Sequence, residues 1–305
     1  MAGSAADRRT RLTVLIALAA NLVIAAAKTV GGLASGSPAL FSEAAHSVAD
    51  SLNEVFLLAA LRRSRRPADA RHPFGYGKER FFWALIAAVG IFVMGGCFSF
   101  YQGLSALRRD DHDESPEGYT AGLIVLGVAF VAEATSLTRA LHQARGEKRG
   151  ALDPALRTVI AEDSTAVLGV TLAMAGMSLR LATGSVVWEA AASLGIGLLL
   201  VYVAFRLGRD ARDQLIGEAV DPELRRDLVG FLMRQSEIDN VAELLTMRLG
   251  MDSVLVAARI DLAPGIDSER IEEVSMRIRE AMAVRWPQAD QVFLDITNAP
   301  PRAGL

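Results

Sequence analysis

Six runs of predominantly apolar residues, approximately 12–33, 39–61, 81–107, 119–141, 158–181 and 186–207, constrain this chain more than any other feature. As a helix rising about 1.5 Å per residue, each is long enough to cross a hydrocarbon core about 30 Å thick. Apolar residues make up 51% of the sequence and mean hydropathy is +0.29, yet 22% of residues are charged. Those figures coexist only if the charges are segregated from the apolar blocks, which is a membrane pattern. The first block follows Arg8, Arg9 and Arg11, shows no convincing cleavage site and is longer than a signal-peptide core, so it is expected to be a retained helix.

Basic residues orient the helices. Arg62, Arg63, Arg65, Arg66 and Arg71 follow the second block, and Arg145, Lys148, Arg149 and Arg157 precede and open the fifth, which places those segments in the cytoplasm. The turn at 32–37 is uncharged, and the connection after Arg108 and Arg109 is acidic, with Asp110, Asp111, Asp113 and Glu114 beside His112. Both termini are therefore expected to be cytoplasmic. The Ala- and Arg-rich composition suggests GC-rich bacterial DNA, and so a bacterial inner membrane.

From about residue 213 the pattern becomes that of a soluble domain. A helix is expected at 222–235, strands at 241–249 and 253–262, a second helix at 267–284 and a last strand at 291–296. This αββαβ order is buried most simply as a three-stranded sheet with both helices on one face, a small ferredoxin-like α+β domain. The expected organisation is thus a six-helix transmembrane domain over 1–212 and a cytoplasmic domain over 213–305. At about 90 residues the second domain is small for independent stability, which favours self-association. Cys97 is the single cysteine, so one chain can form neither a disulfide nor a thiolate cluster.

Within the second apolar block, His46 and Asp50 are four residues apart. One helical turn brings the imidazole and the carboxylate to the same side, where they can close on one ion. A charge at the centre of a membrane helix costs roughly 2.5–3.5 kcal/mol by insertion scales, so it is kept where it has a partner or a task. The task suggested is binding a divalent metal inside the bilayer. Asp50 lies about 16 Å along a helix beginning near Ala39, and Asp163 about 14 Å along one beginning near Pro154 from the opposite face. They can meet near the midplane. Of the other charges in the apolar blocks, Lys28 is expected to snorkel or to pair with a carboxylate, Glu133 to carry protons or to accept an interhelical hydrogen bond, and Arg180 and Arg206 to anchor helix ends. Asn53 and Ser42 are expected to pack or to hydrogen-bond.

The run Phe41-Ser-Glu-Ala-Ala-His-Ser-Val-Ala-Asp-Ser-Leu-Asn53, the loop His72-Pro-Phe-Gly-Tyr-Gly-Lys78, the segment Glu162-Asp-Ser-Thr-Ala-Val-Leu-Gly169 and the linker Leu215-Ile-Gly-Glu-Ala-Val-Asp-Pro222 together resemble the cation diffusion facilitators, most closely their zinc transporter nine branch. The resemblance covers nearly the whole chain. It implies a homodimeric divalent metal/proton antiporter that exports zinc from the cytoplasm by alternating access, with its transport site between the second and fifth helices. His46, Asp50 and Asp163 would supply one nitrogen and two carboxylates, which suits tetrahedral zinc if a fourth ligand exists.

Departures from the family pattern are informative. The histidine often found four residues before the second aspartate is Val159 here. Glu162 then either completes the site or orients His46 from behind, and water could fill the position instead. In the loop, Asp69 and His72 match an Asp-x-x-His arrangement that holds an additional ion in relatives, but Tyr76 stands in place of the usual later histidine. All four histidines, His46, His72, His112 and His142, precede the C-terminal domain, so a nitrogen-rich zinc site is not expected there. Lys78 matches a lysine that pairs near the dimer interface; its acidic partner position falls at Gly217, leaving Glu218 or Asp213 to substitute.

A single histidine among carboxylates also suits manganese or iron(II), an alternative cargo for the same kind of transporter. A membrane metal sensor or scaffold without turnover is the alternative of a different class. Neither a prosthetic group nor a nucleic-acid partner is expected. The run Gly75-x-Gly77-Lys78 lacks the spacing of a phosphate cradle, so direct ATP chemistry is not supported.

Overall fold

A computed structural model describes residues 2–108, 116–146 and 154–297. Arg109, Asp110, Asp111, His112, Asp113, Glu114, Lys148 and Arg149 lie outside the described residues, as do the side chains of Arg8, Arg9, Arg11, Arg157 and Val159. The six apolar blocks form six long helices: α1 (Ala2–Ser35), α2 (Pro38–Arg63), α3 (Glu79–Ala106), α4 (Pro116–Gly146), α5 (Pro154–Thr183) and α6 (Val187–Ile216). The middle of α3, Ile91–Cys97, winds as a π-helix and carries Gly95 and Gly96, where the chain approaches Leu200 and Val201 of α6.

Among the described residues five helices are long and apolar enough to cross a membrane, and α2 is the exception. It carries Glu43, His46, Asp50 and Glu54 within its apolar sequence, with Glu43 and His46 buried. The polarity of α2 is turned inward, where other helices supply partners. Outward, Val30, Leu33, Val128, Val131, Leu198 and Phe205 are exposed, as a lipid-facing surface requires. Leu40, Leu126, Val170, Met177, Ile196 and Leu200 form the dry centre of the bundle.

One end of the bundle is held by a polar cluster. Glu189 in the first turn of α6 is fully buried and accepts from Ser37 Oγ at 2.5 Å, Tyr119 Oη at 2.8 Å and Arg180 Nη1 at 3.1 Å. These come from the start of α2, the first turn of α4 and the last turn of α5. Arg180 is therefore not the simple interfacial anchor expected of it: its guanidinium is ion-paired and also lies 5.5 Å from the Tyr119 ring.

Contacts divide the chain into two compact units, Met1–Ala59 with Trp83–Arg209, and Ala60–Phe82 with Asp210–Leu305. The second contains α7 (Pro222–Leu232), β1 (Ile238–Arg248), β2 (Val254–Leu262), α8 (Ser268–Arg285) and β3 (Gln291–Ile296), the αββαβ order read from the sequence. The sheet order is β1-β2-β3, with β1 antiparallel and β3 parallel to the central β2. Alternate residues Val254, Val256, Ala258 and Ile260 face Leu228 and Leu232 of α7 and Val274, Ile278 and Met282 of α8 in one core. On the other face Arg259 bridges Glu243 and Asp295 across all three strands. The side chain of Asp267 caps α8 by accepting from the Arg270 backbone.

The loop 72–78 packs within this second unit. Gly75 has φ +79°, a left-handed turn, and a Cβ at Gly77 would overlap the Leu249 carbonyl. The next residue, Lys78, donates to the Leu215 carbonyl at 3.2 Å and contacts Met247 Sδ at 3.6 Å, rather than pairing with Glu218 or Asp213. The glycines and the lysine of this motif thus brace the loop.

Two predictions follow from these polar contacts. Removing the acceptor shared by Ser37, Tyr119 and Arg180 with Glu189→Leu should destabilise the helical unit by about 3–5 kcal/mol, as for other broken buried ion pairs. Thermal unfolding of the purified protein in detergent measures this, and an unchanged midpoint would contradict the clasp. In the second unit, Arg277 and Arg270 hold Glu237 at 2.6 and 2.7 Å and press its carboxyl down to about 2. A carboxylate with a depressed folded pKa adds stability above its unfolded value of about 4.3 and loses it as pH falls toward the folded one. Hydrogen exchange of the α8 amides should therefore accelerate between about pH 4.5 and 2 beyond the intrinsic rate, and Glu237→Gln should flatten that response while costing about 1 kcal/mol at neutral pH.

Candidate metal centre

Helical spacing does what the sequence requires of His46 and Asp50. One turn apart on α2, they place Nε2 and Oδ2 3.3 Å from each other. His46 is buried, whereas the Asp50 side chain is about 36% exposed into a cavity of about 290 Å³. Four helices line that cavity: Asn21 from α1, Asp50, Asn53 and Glu54 from α2, Glu133 and Ser136 from α4, and Glu162 and Asp163 from α5. It lies toward the C-terminal ends of α2 and α4 and the start of α5, the end of the bundle opposite the Glu189 cluster.

Asp163 therefore shares a cavity with Asp50, as the depth of the two helices suggests. Its Oδ2 is buried without a hydrogen-bond partner, an arrangement that calls for a cation or a proton. Glu162 lines the same cavity and its Oε1 accepts from Asn53 Nδ2 at 3.0 Å, so in this conformation Asn53, not His46, is its partner. Asn53 and Ser42 behave as the hydrogen-bonding residues expected, with Ser42 Oγ donating to the Pro38 carbonyl. Among the described residues, no three His, Cys, Asp or Glu side chains converge tightly enough to enclose a metal. The pair His46–Asp50 is preformed, and Asp163 faces the shared space without closing on it.

Two further polar contacts lie beside the cavity and the pair. Glu54, one turn beyond Asp50, accepts from Asn21 Nδ2 at 2.9 Å. Lys28 is 1% exposed and donates to Glu43 Oε2 at 2.9 Å and Glu133 Oε1 at 3.0 Å. The signal for the second was present: a lysine and two glutamates in apolar blocks have to find one another or lose their charge. The pairing expected of Lys28 and the acceptor role expected of Glu133 are both seen.

The loop pair is arranged differently. Asp69 Oδ1 lies 3.5 Å from His72 Nδ1, but Tyr76 Oη donates to Asp69 Oδ2 at 2.7 Å and its ring lies 4.2 Å from that of His72. Tyr76 thus uses one of the oxygens an ion would need. That hydrogen bond also holds the Asp69 carboxyl below its usual range and pushes the Tyr76 phenol up.

The chain matches the family model described as the cation efflux transmembrane domain over residues 14–216. It is 30% identical over 259 residues to the mitochondrial proton-coupled zinc antiporter SLC30A9 of Xenopus laevis, covering 81% of this chain and 46% of that protein. It is 32% identical over 269 residues to metal tolerance protein C4 of Arabidopsis thaliana, covering 84% and 58%. It also resembles the manganese efflux system protein MneP of Bacillus subtilis, at 24% identity over 293 residues, covering 95% and 96%. The chain spans about half the length of the first two relatives. With six helices, a polar cavity among them, a small αββαβ unit after them and this match, the chain belongs to the cation diffusion facilitator family of transporters, in its zinc transporter nine-like branch.

Proposed function

We propose that this protein exports zinc from the cytoplasm in exchange for protons, binding the ion in the four-helix cavity and exposing that site to each side of the membrane in turn. The observation that carries this reading is the His46–Asp50 pair, whose Asp50 lines the same cavity as Asp163. One imidazole and two carboxylates are a sufficient protein donor set for a transported divalent cation whose remaining position is taken by Glu162 or water. A ligand must be deprotonated to bind, so loading zinc expels protons and protonation from the other side favours its release. Motion of α2 against α5 would close and open the site.

Manganese is the second reading. Carboxylates suit harder ions, the candidate site has one nitrogen, and the Bacillus relative is named for manganese efflux. Iron(II) fits the same chemistry. The orientation, with both termini cytoplasmic, the division at residues 212 and 213, and pairing of two copies through the C-terminal domain belong to the same proposal. The named relatives are mitochondrial, plant and bacterial, so they do not support the bacterial inner membrane expected from composition. For Asp69 and His72, the Tyr76 hydrogen bond argues against a strongly held second ion.

Asp50→Ala and Asp163→Ala should each reduce zinc flux in proteoliposomes to that of protein-free vesicles while the protein still inserts, because each removes an anionic donor and makes its helix more apolar. Normal flux in either would refute the site. Glu162→Gln should keep most of the flux if water takes the remaining position, since an amide oxygen can still accept from Asn53, and should be as damaging as Asp163→Asn if Glu162 holds the ion itself. Zinc uptake should release protons, and apparent affinity should fall as pH drops below about 6.5, where an ordinary histidine protonates. Zinc bound without proton release or flux would favour the sensor reading.

A further inference from the structure

Behind His46, on the side away from Asp50, the bundle contains a charge arrangement that cargo binding alone does not require. Glu43 is fully buried. Its Oε2 is held by Lys28 at 2.9 Å, while Oε1 is buried without a hydrogen-bond partner and lies 3.8 Å from His46 Nδ1. Space for that oxygen exists because residue 169 on α5 is glycine: a Cβ there would overlap Glu43 Oε1 and come within 3.5 Å of His46 Nδ1. Lys28 is in turn held by Glu133 at 3.0 Å, so its cation has a second anchor on α4.

We propose that the Lys28–Glu43 pair is a positioning device for His46, fixing which imidazole nitrogen meets the cargo and so setting the preference for zinc over manganese. The inference rests on the cargo site proposed above. A neutral imidazole has one N–H and one lone pair, and the hydrogen bond available to one nitrogen decides which of them the other presents. Glu43 offers an acceptor only to Nδ1. Asp50 Oδ2, 3.3 Å from Nε2, competes for the imidazole proton; a cation beside Asp50 removes that acceptor, so the proton goes to Nδ1 and Glu43, and Nε2 offers its lone pair to the cation. At 3.8 Å the contact is an electrostatic restraint that can shorten to a hydrogen bond when Nε2 engages an ion. Acceptors of this kind behind a metal-binding imidazole change metal affinity by roughly 10–100-fold when removed.

Lys28 has a separate part in this arrangement. It ties up the other Glu43 oxygen and neutralises the carboxylate, which keeps Glu43 from swinging round as a further oxygen ligand. The cargo then meets a nitrogen where a hard-ion site would offer another oxygen, and nitrogen favours zinc over manganese. Gly169 is the steric condition for all of this, since α5 must leave room for both side chains.

Competition flux of zinc against manganese in proteoliposomes tests the device, using Glu43→Gln, Glu43→Asp, Gly169→Ala, His46→Asp and the double variant Glu43→Gln/His46→Asp. Glu43→Gln should raise the zinc KM about tenfold or more with a smaller effect on maximal rate, and reduce zinc preference in proportion. Glu43→Asp should recover part of that preference. Gly169→Ala keeps every charge and should give the same loss, so it supplies the result if Glu43→Gln fails to reach the membrane. In the His46→Asp background, Glu43→Gln should change preference no further. Altered preference in His46→Asp with unaltered preference in Glu43→Gln or Gly169→Ala overturns the positioning role and leaves the cargo site standing. An equal effect of Glu43→Gln with or without His46 overturns it as well, since that result marks a merely structural residue. Unaltered preference in His46→Asp overturns the cargo site and this inference together.

Discussion

A lysine that is 1% exposed in the middle of an apolar bundle is the constraint on which the helical unit depends. Lys28 can remain charged there only because Glu43 and Glu133 approach it from two other helices at 2.9 and 3.0 Å. Removing one partner of such a group typically costs about 3–5 kcal/mol, because the remaining charge is stranded away from water. The triad therefore ties α1, α2 and α4 to one another. It also sets the rotation of α2: with Glu43 turned toward Lys28, His46 and Asp50, three and seven residues on, face the same interior.

The two ends of the bundle differ in kind. At one, Glu189 collects donors from three other elements and the neighbouring Leu40, Leu126 and Met177 are fully buried, leaving no polar space. Toward the other, carboxylates and amides from α1, α2, α4 and α5 surround a cavity. The polar groups of the bundle are thus gathered at a clasp and at a cavity, with apolar packing between them. The membrane supplies the reason for such economy, since each buried polar group in it must find a protein partner or a function.

Much of this was legible in the sequence. Apolar block lengths fixed six helices, and alternation in the last third identified the three strands and their order. Only the ends shifted: α7 stops at Leu232, short of the expected Gln235, and β1 begins at Ile238, ahead of the expected Val241. His46 and Asp50 were visible because a four-residue spacing survives into three dimensions unchanged. Contacts between distant helices were less legible. Nothing local in Arg180 says that Glu189, across a turn, will bury it, and nothing local in Lys78 says that a carbonyl and a thioether will replace a carboxylate partner. The partner of Glu162 depended on the rotation of α5 against α2, which periodicity alone does not give. Glycine spacing was the least readable signal of all: Gly169 and Gly77 matter for what approaches them from elsewhere in the chain.

The proposed transport site places a divalent cargo ion between α2 and α5, held by His46, Asp50 and Asp163. Anomalous diffraction at the zinc absorption edge, from crystals of the zinc-loaded protein, tests it most directly. One strong peak is expected beside the cavity, about 2.0–2.2 Å from His46 Nε2 and from carboxylate oxygens of Asp50 and Asp163. A fully occupied zinc peak elsewhere in the chain with none in this cavity would contradict it.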